Sequence, residues 1–159
     1  MSDQRSGIDF TEVRTAAQGP LYPVNMVAFD TNGNKFKYVR AASNALTVNL
    51  LYVYNGQTGD AGAGTTGTLV ASGTAFPCGT PVATVASGGF GWIQVAGRMT
   101  LTAAGPVAAN ARVYTTATAG QLDDASASQG QILGLTAYTA IAGSGTGTFF
   151  SPVDLLAQQ

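Results

Sequence analysis

The sequence predicts an all-β fold: a small β-barrel or β-sandwich of short antiparallel strands, with an extended N-terminal arm and a long Gly-rich loop. Three observations predict it. Charged residues are only 9% of the 159 residues, and the Glu and Lys that usually fill helix surfaces are scarce. Thr, Ser, Ala, Gly, Asn and Gln take their place, which suits short strands joined by turns. Apolar positions alternate in short runs at roughly 8 to 12 residue spacing, the pattern of a barrel or sandwich. The pair Asn32-Gly33 between two such runs is a preferred hairpin turn. The length suits one domain able to bury a core without disulfides or metal.

Residues 1–24 read as the arm, and residues 25–159 as the β domain. In "DFTEVRTAAQGP", Asp9 and Glu12 form a capping-box pattern and Gly19-Pro20 a stop. Two helical turns are therefore expected over about residues 10–17. A helix so short needs a surface to lie against. "GPLYPV" then imposes extended backbone, because two prolines exclude helix.

"NMVAFDTNGNKFKYVRA" predicts a hairpin. A two-residue turn at Asn32-Gly33 places Phe29 opposite Phe36, Val27 opposite Tyr38 and Asp30 opposite Lys35. A turn at Gly33-Asn34 is the second choice, and pairs Phe29 with Tyr38. "ALTVNLLYVYNG" predicts a strand with Leu46, Val48, Leu50, Tyr52 and Tyr54 on one face. The glycines that follow it predict a loop over about residues 55–68. "TPVATVAS" predicts a short strand. In "WIQVAGRMTL", Ile93, Val95, Met99 and Leu101 share one face, while Trp92, Gln94, Ala96 and Arg98 share the other. Gly97 between them marks a bulge or a close backbone approach. "AGPVAANARVYTTATAGQLDDA" reads as turn, strand, turn, and "QILGLTAYTAIAGSGTGTFFSPV" as a closing hairpin. No repeat of fixed period is present.

The net charge is −1, so nothing draws the chain to nucleic acid or anionic lipid. Nine of its charges, Asp3 to Arg40, fall in the first 40 residues. The nearly neutral body that follows has little colloidal repulsion of its own, which points to a surface covered by partners. A soluble Thr/Ser-rich β domain is the plainer alternative. The polar start predicts no secretory leader, and no apolar run is long enough to span a membrane. With one cysteine, Cys78, no disulfide forms within the chain.

Chemistry is sparse. There is no histidine, so Cys-His and Ser-His nucleophiles are impossible and Cys78 reads as a buried or idle thiol. "GAGTTG", Gly62 to Gly67, spells a dinucleotide fingerprint. The helix start and ribose-binding acid that such a site needs do not follow it. Asp123-Asp124 is the one acidic pair of the body. Neighbouring strand residues face opposite ways, so these acids suit Asx-type turn bonds better than one shared ion. Lys35, Lys37 and Arg40 with Phe36 and Tyr38 make a faint basic-aromatic stripe. It also fits an ordinary amphipathic strand. No enzyme activity, cofactor, metal or nucleic acid is expected. Trp92, flanked by Gly88, Gly89 and Gly91, reads as a packing residue at a strand end or subunit seam.

"GWIQVAGRMTL", "VAANARVYTTATAGQLDDA" and "QILGLTAYTAIAGSGTGTFFSPV", in that order, resemble the core of small bacteriophage capsid decoration (cement) proteins. "NGNKFKYVRAASNAL" resembles that family's start. The resemblance covers about residues 25–153. "YNGQTGDAGAGTTGTLVASGTAF" departs from it, being longer than the family's linker.

The resemblance implies a virion protein on the outer capsid surface, made in the host cytoplasm. It implies a homo-oligomer, a trimer more readily than a dimer, that bridges major capsid protein subunits and holds the expanded head together. On that reading Ile8, Phe10, Val13, Leu21 and Tyr22 are arm contacts. Arg5 and Arg14 are steering or rim charges, and Trp92 is an interface residue. The alternative for the arm is that it packs on its own domain. The alternative function is a carbohydrate- or host-surface-binding head or tail module, which requires Trp92 and the tyrosines to lie open in a groove.

Overall fold

The computed structural model describes residues 7–61, 76–116, 118, 120–125 and 130–157. Strand makes up about 46% of the chain and there is no helix among the described residues, twice the strand share of an ordinary globular domain. The strands run β1 (Val27–Phe29), β2 (Lys35–Ala41), β3 (Tyr52–Val53), β4 (Asp60–Ala61), β5 (Phe76–Pro81), β6 (Phe90–Ala103), β7 (Arg112–Thr115), β8 (Leu122–Asp123), β9 (Gln131–Ala137), β10 (Gly145–Ser151) and β11 (Leu156–Ala157).

The architecture is a closed five-strand barrel with additional strands. β6 pairs β10 along residues 97–103, β10 pairs β9, and β9 pairs β7. β7 pairs β8, and Leu122 of β8 meets Ala103 of β6 to close the ring. Closure removes free strand edges. The inward positions follow the alternation of the sequence: Met99, Leu101 and Ala103 from β6, Val113 from β7, and Leu122 from β8. Ile132, Leu135 and Ala137 of β9 and Phe149 of β10 complete them. Cys78, Leu51 and Leu155 are buried in the same cluster. Each large aliphatic side chain sealed there contributes about 1.5–3 kcal/mol.

β6 is 14 residues long and belongs to two structures. Its first half, Phe90 to Ala96, leaves the barrel and lies between β2 and β5. β1, β3 and β4 extend that second sheet. Both faces of this half are buried. Ile93 and Val95 pack with Val39, Ala41, Leu46, Tyr54 and Val85 on one side. Phe90 and Trp92 pack with Phe36 and Tyr38 on the other, under the arm. Gly97 sits where the two halves meet, at φ 98° and against the side chain of Asn34. The Arg98 N–H donates to Asn34 Oδ1 at 2.9 Å, so the glycine is a close backbone approach.

Four local expectations are corrected. No helix forms over 10–17. Asp9 Oδ1 instead accepts from the N–H and hydroxyl of Thr11, at 2.9 and 2.7 Å, and caps a single turn. Beyond the turn, Arg14 pairs backbone with Phe90, with N···O distances of 2.9 and 2.8 Å. A docked extended arm satisfies backbone groups that a two-turn helix would leave to water.

The hairpin at Asn32-Gly33 forms with a different register. Phe29 lies opposite Lys35, and Ala28 opposite Phe36. Gly33 N–H donates to the Asp30 carbonyl, and Gly33 itself is left-handed at φ 80°. This is a type I turn followed by a bulge glycine, hence one residue longer than a two-residue turn. Asp30 fixes it by accepting from the N–H groups of Asn32 and Asn34, at 2.9 and 2.8 Å. A slip of one residue swaps faces. Phe29 is therefore 55% exposed, Ala28 is buried, and Lys35 pairs with Asp154 at 2.8 Å instead of with Asp30.

The strand expected over 45–56 is broken by Asn49, left-handed at φ 65°. Leu51, not Leu50, is then buried, and β3 is only two residues long. The strand expected at "TPVATVAS" falls earlier, at β5, where Pro81 is the last residue, and leaves Val85 as an isolated bridge to Leu46. Of the Gly-rich loop, residues 55–59 form a tight turn in which Asn55 Oδ1 accepts from the N–H groups of Gln57 and Thr58, followed by β4. "GAGTTG" lies outside the described residues.

Candidate interaction surface

Four of the seven residues singled out on the arm and β6 come together in one cluster. Ile8, Phe10 and Trp92 are buried in it, with Tyr22 packed at its margin. Six rings form a continuous network. Phe10 stacks on Phe36 with centroids 4.1 Å apart and meets Trp92 edge-on at 5.2 Å. Tyr22 meets Tyr38 and Trp92, each at 5.3 Å. Tyr38 lies 5.1 Å from Trp92 and 6.4 Å from Phe90. Edge-on and offset contacts of this kind add about 0.5–1.5 kcal/mol each beyond burial. The Leu21 N–H donates to the Tyr38 hydroxyl at 3.2 Å, which pins the arm at its second end.

Trp92 is 1% exposed, so it is a packing residue covered by its own chain. It is not open to stack on a sugar. Its indole N–H is buried without a hydrogen-bond partner among the described residues. Val13 packs against the opposite cluster. Arg14 is half-buried beside Glu12, at 3.8 Å. Leu21 alone of the seven is exposed, at 45%. Arg5 lies outside the described residues. The described part of the arm, residues 7–24, thus packs on its own domain.

The basic-aromatic stripe is also spent internally. Phe36 and Tyr38 are buried. Lys35 is held by Asp154, Lys37 lies 4.7 Å over the Tyr54 ring, and Arg40 pairs with Asp60 at 2.7 Å. The Arg40 guanidinium, by hydrogen bond first, holds the Asp60 carboxyl below its ordinary range. Asp123 Oδ1 accepts from the N–H groups of Asp124 and Ala125, at 2.7 and 3.3 Å, the Asx turn expected there. No group of three metal-ligating side chains occurs among the described residues.

Three of the six exposed large apolar side chains among the described residues, Tyr138, Phe150 and Val153, lie at or just beyond the barrel strands β9 and β10. Phe150 on β10 is 41% exposed and Tyr138, just after β9, 53%. Phe150 stands directly opposite Arg98 of β6. The Arg98 guanidinium lies 4.3 Å over the Tyr138 ring. Beside them is an open groove of about 760 Å³, walled by the hairpin tip Asn32–Asn34 on one side and Phe150, Ser151 and Pro152 on the other. Arg98 is its one charged lining residue, and forms no ion pair among the described residues. Val27, Phe29 and Val153 are exposed as well.

The alternation of the sequence puts Arg98 on the face opposite Met99 and Leu101, and does not single out its two aromatic neighbours. One signal was available. In "TFFSPV" adjacent strand residues face opposite ways. With Phe149 in the core, Phe150 has to stand outside. No protein-family model, curated protein or solved structure matches this chain.

Proposed function

We propose that this chain is a structural virion protein that binds the outer surface of a bacteriophage capsid as a homo-oligomer. It stabilises the expanded head by bridging major capsid protein subunits. One observation carries the reading. Of the four stretches that resemble decoration proteins, three cover β6, then β7 and β8, then β9 and β10, which are the five strands of the closed barrel, and the fourth covers β2, which pairs with the first half of β6. Short motifs scattered over unrelated elements would have no such outcome.

The physics of the surface is consistent with the reading. A charge-poor body with exposed Phe29, Tyr138, Phe150 and Val153 gains by covering them. A standard interface buries about 1,600 Å². Several such contacts linked in one oligomer gain avidity without any being strong.

The arm's role changes with its position. Packed on its own aromatic cluster, it braces the domain, and Leu21 is the one of its proposed contact residues left facing outward. The test is co-sedimentation of the purified chain with expanded and unexpanded heads of its own virus. The proposal expects saturable binding to expanded heads only. Equal binding to both, or to neither, refutes it.

A further inference from the structure

From the Arg98–Tyr138–Phe150 patch and its groove, we infer a docking site for an acidic loop of the shell protein, one carboxylate beside an apolar side chain. The inference rests on the proposed function and names the face that would do the binding.

The chemistry of the patch sets the partner. The Arg98 guanidinium lies 4.3 Å over the Tyr138 ring and forms no ion pair among the described residues, which leaves its N–H fork for a planar acceptor. Arginine held this way is pre-organised for bidentate carboxylate. Phe150 stands opposite Arg98 across the β6–β10 ladder and lines the groove beside it. Phe150 and Pro152 line the groove without charge, and offer an apolar side chain a place beside the carboxylate. Arg98 and Phe150 line the groove, with Tyr138 against Arg98, and arginine and aromatic residues are enriched at protein interfaces.

The charge pattern selects an acidic protein segment over nucleic acid. A polyanion needs a stripe of cations, and Arg98 is the one charge in this groove. Lys35, the cation of the adjoining hairpin, is already neutralised by Asp154. Arg98 is exposed in the free chain, and a single arginine fits a single carboxylate; a partner that lies on Phe150 and Pro152 as it binds would take the pair out of water, which is what makes such a pair count.

The test compares Arg98→Glu with Arg112→Glu, in the full chain, on expanded heads. Arg112 also faces outward on the barrel, at β7, and also lacks an ion pair among the described residues. The two variants change net charge equally. Melting temperatures confirm that both fold. Arg98→Glu and Phe150→Ala are expected to weaken binding about tenfold or more, as for a desolvated hot spot. Arg112→Glu stays within about twofold, as for a rim charge. Arg98→Lys falls between, because ammonium is no fork.

If wild type binds and Arg98→Glu binds as well as Arg112→Glu, the site is wrong and the capsid reading stands. If wild type does not bind expanded heads, the capsid reading fails and this inference falls with it. A short fluorescent DNA duplex is the third arm. Tight binding to it that is lost in Arg98→Glu, with head binding unchanged, overturns the inference in favour of nucleic acid.

Discussion

The two halves of β6 pass through two kinds of core. From Gly97 onward the strand lines a closed barrel whose interior is mainly aliphatic, with Phe149 the one aromatic ring buried there among the described residues. Before Gly97 it lies in an open sheet, and Trp92 faces a cluster of aromatic rings closed off by the arm. A closed ring satisfies its backbone by strand pairing and fills its centre with interdigitated branched side chains. An open sheet face must be covered by something else. Here an irregular segment does it, held by one two-bond bridge to Phe90, one bond to the Tyr38 hydroxyl, and large rings. The cover needs no regular structure, provided that each long side chain finds a ring.

The difference can be broken from either side. Phe149→Ala empties a sealed barrel and is expected to cost about 3–5 kcal/mol, with both halves unfolding in one transition. Phe10→Ala removes a ring of the same size from the arm, where the cover can lift in place of leaving a cavity. Its expected cost is smaller, about 1–3 kcal/mol. Its signature is a red-shifted, quenchable Trp92 with unchanged far-ultraviolet circular dichroism. Trp92 is the chain's one tryptophan, so its emission reports on the arm-covered half alone. A red shift in Phe149→Ala below its melting point, or none in Phe10→Ala, would erase the distinction.

The junction between the halves should be next in size. Gly97→Ala forces φ 98° on an L residue and drives a methyl into Asn34. It is expected to cost about 1–3 kcal/mol. Gly33→Ala meets no neighbouring atom and carries only the strain of φ 80°, so about 1–2 kcal/mol is expected. Chemical denaturation of both variants checks the order. If Gly33→Ala is the worse, the close approach at the junction is not what holds the halves in register.

The smallest effect concerns Tyr54, on the side of the sheet away from the arm. Burial first, then the nearby Asp154 charge, pushes its phenol from 10.0 up to about 12. The neutral form is favoured by folding. Its contribution is therefore whole below about pH 10 and is lost as pH rises towards about 12. Tyr54→Phe should flatten stability over that window when unfolding is followed at about pH 9 and about pH 11.5. An unchanged slope would mean that the alkaline loss belongs elsewhere, Tyr38 being raised by burial too.

The barrel was more legible in the sequence than the arm. The alternation of "WIQVAGRMTL" gave β6, the face of Met99 and Leu101 and the special role of Gly97, because the barrel half of the strand, buried on one face, writes its register into side-chain polarity. The hairpin was legible and its register was not. The choice between a two-residue and a three-residue loop was made by the Asp30 carboxylate, a side-chain bond that composition does not reveal. The helix expected at 10–17 lost to tertiary contact with Phe90, since a local cap is worth less than a docked face. Trp92 as a packing residue was readable from its glycine flanks, but what it packs on was not. Its arm partners are more than 65 positions away. The groove beside Arg98 needed the fold, because it joins a hairpin tip to the end of β10.

The central claim is that this chain covers joints on the outside of a viral shell. A difference map at low resolution, between particles assembled with and without the protein, tests it most directly. The account predicts added density on the outer surface, repeated across neighbouring shell subunits. Density confined to the tail or the interior, or none at all, would contradict it.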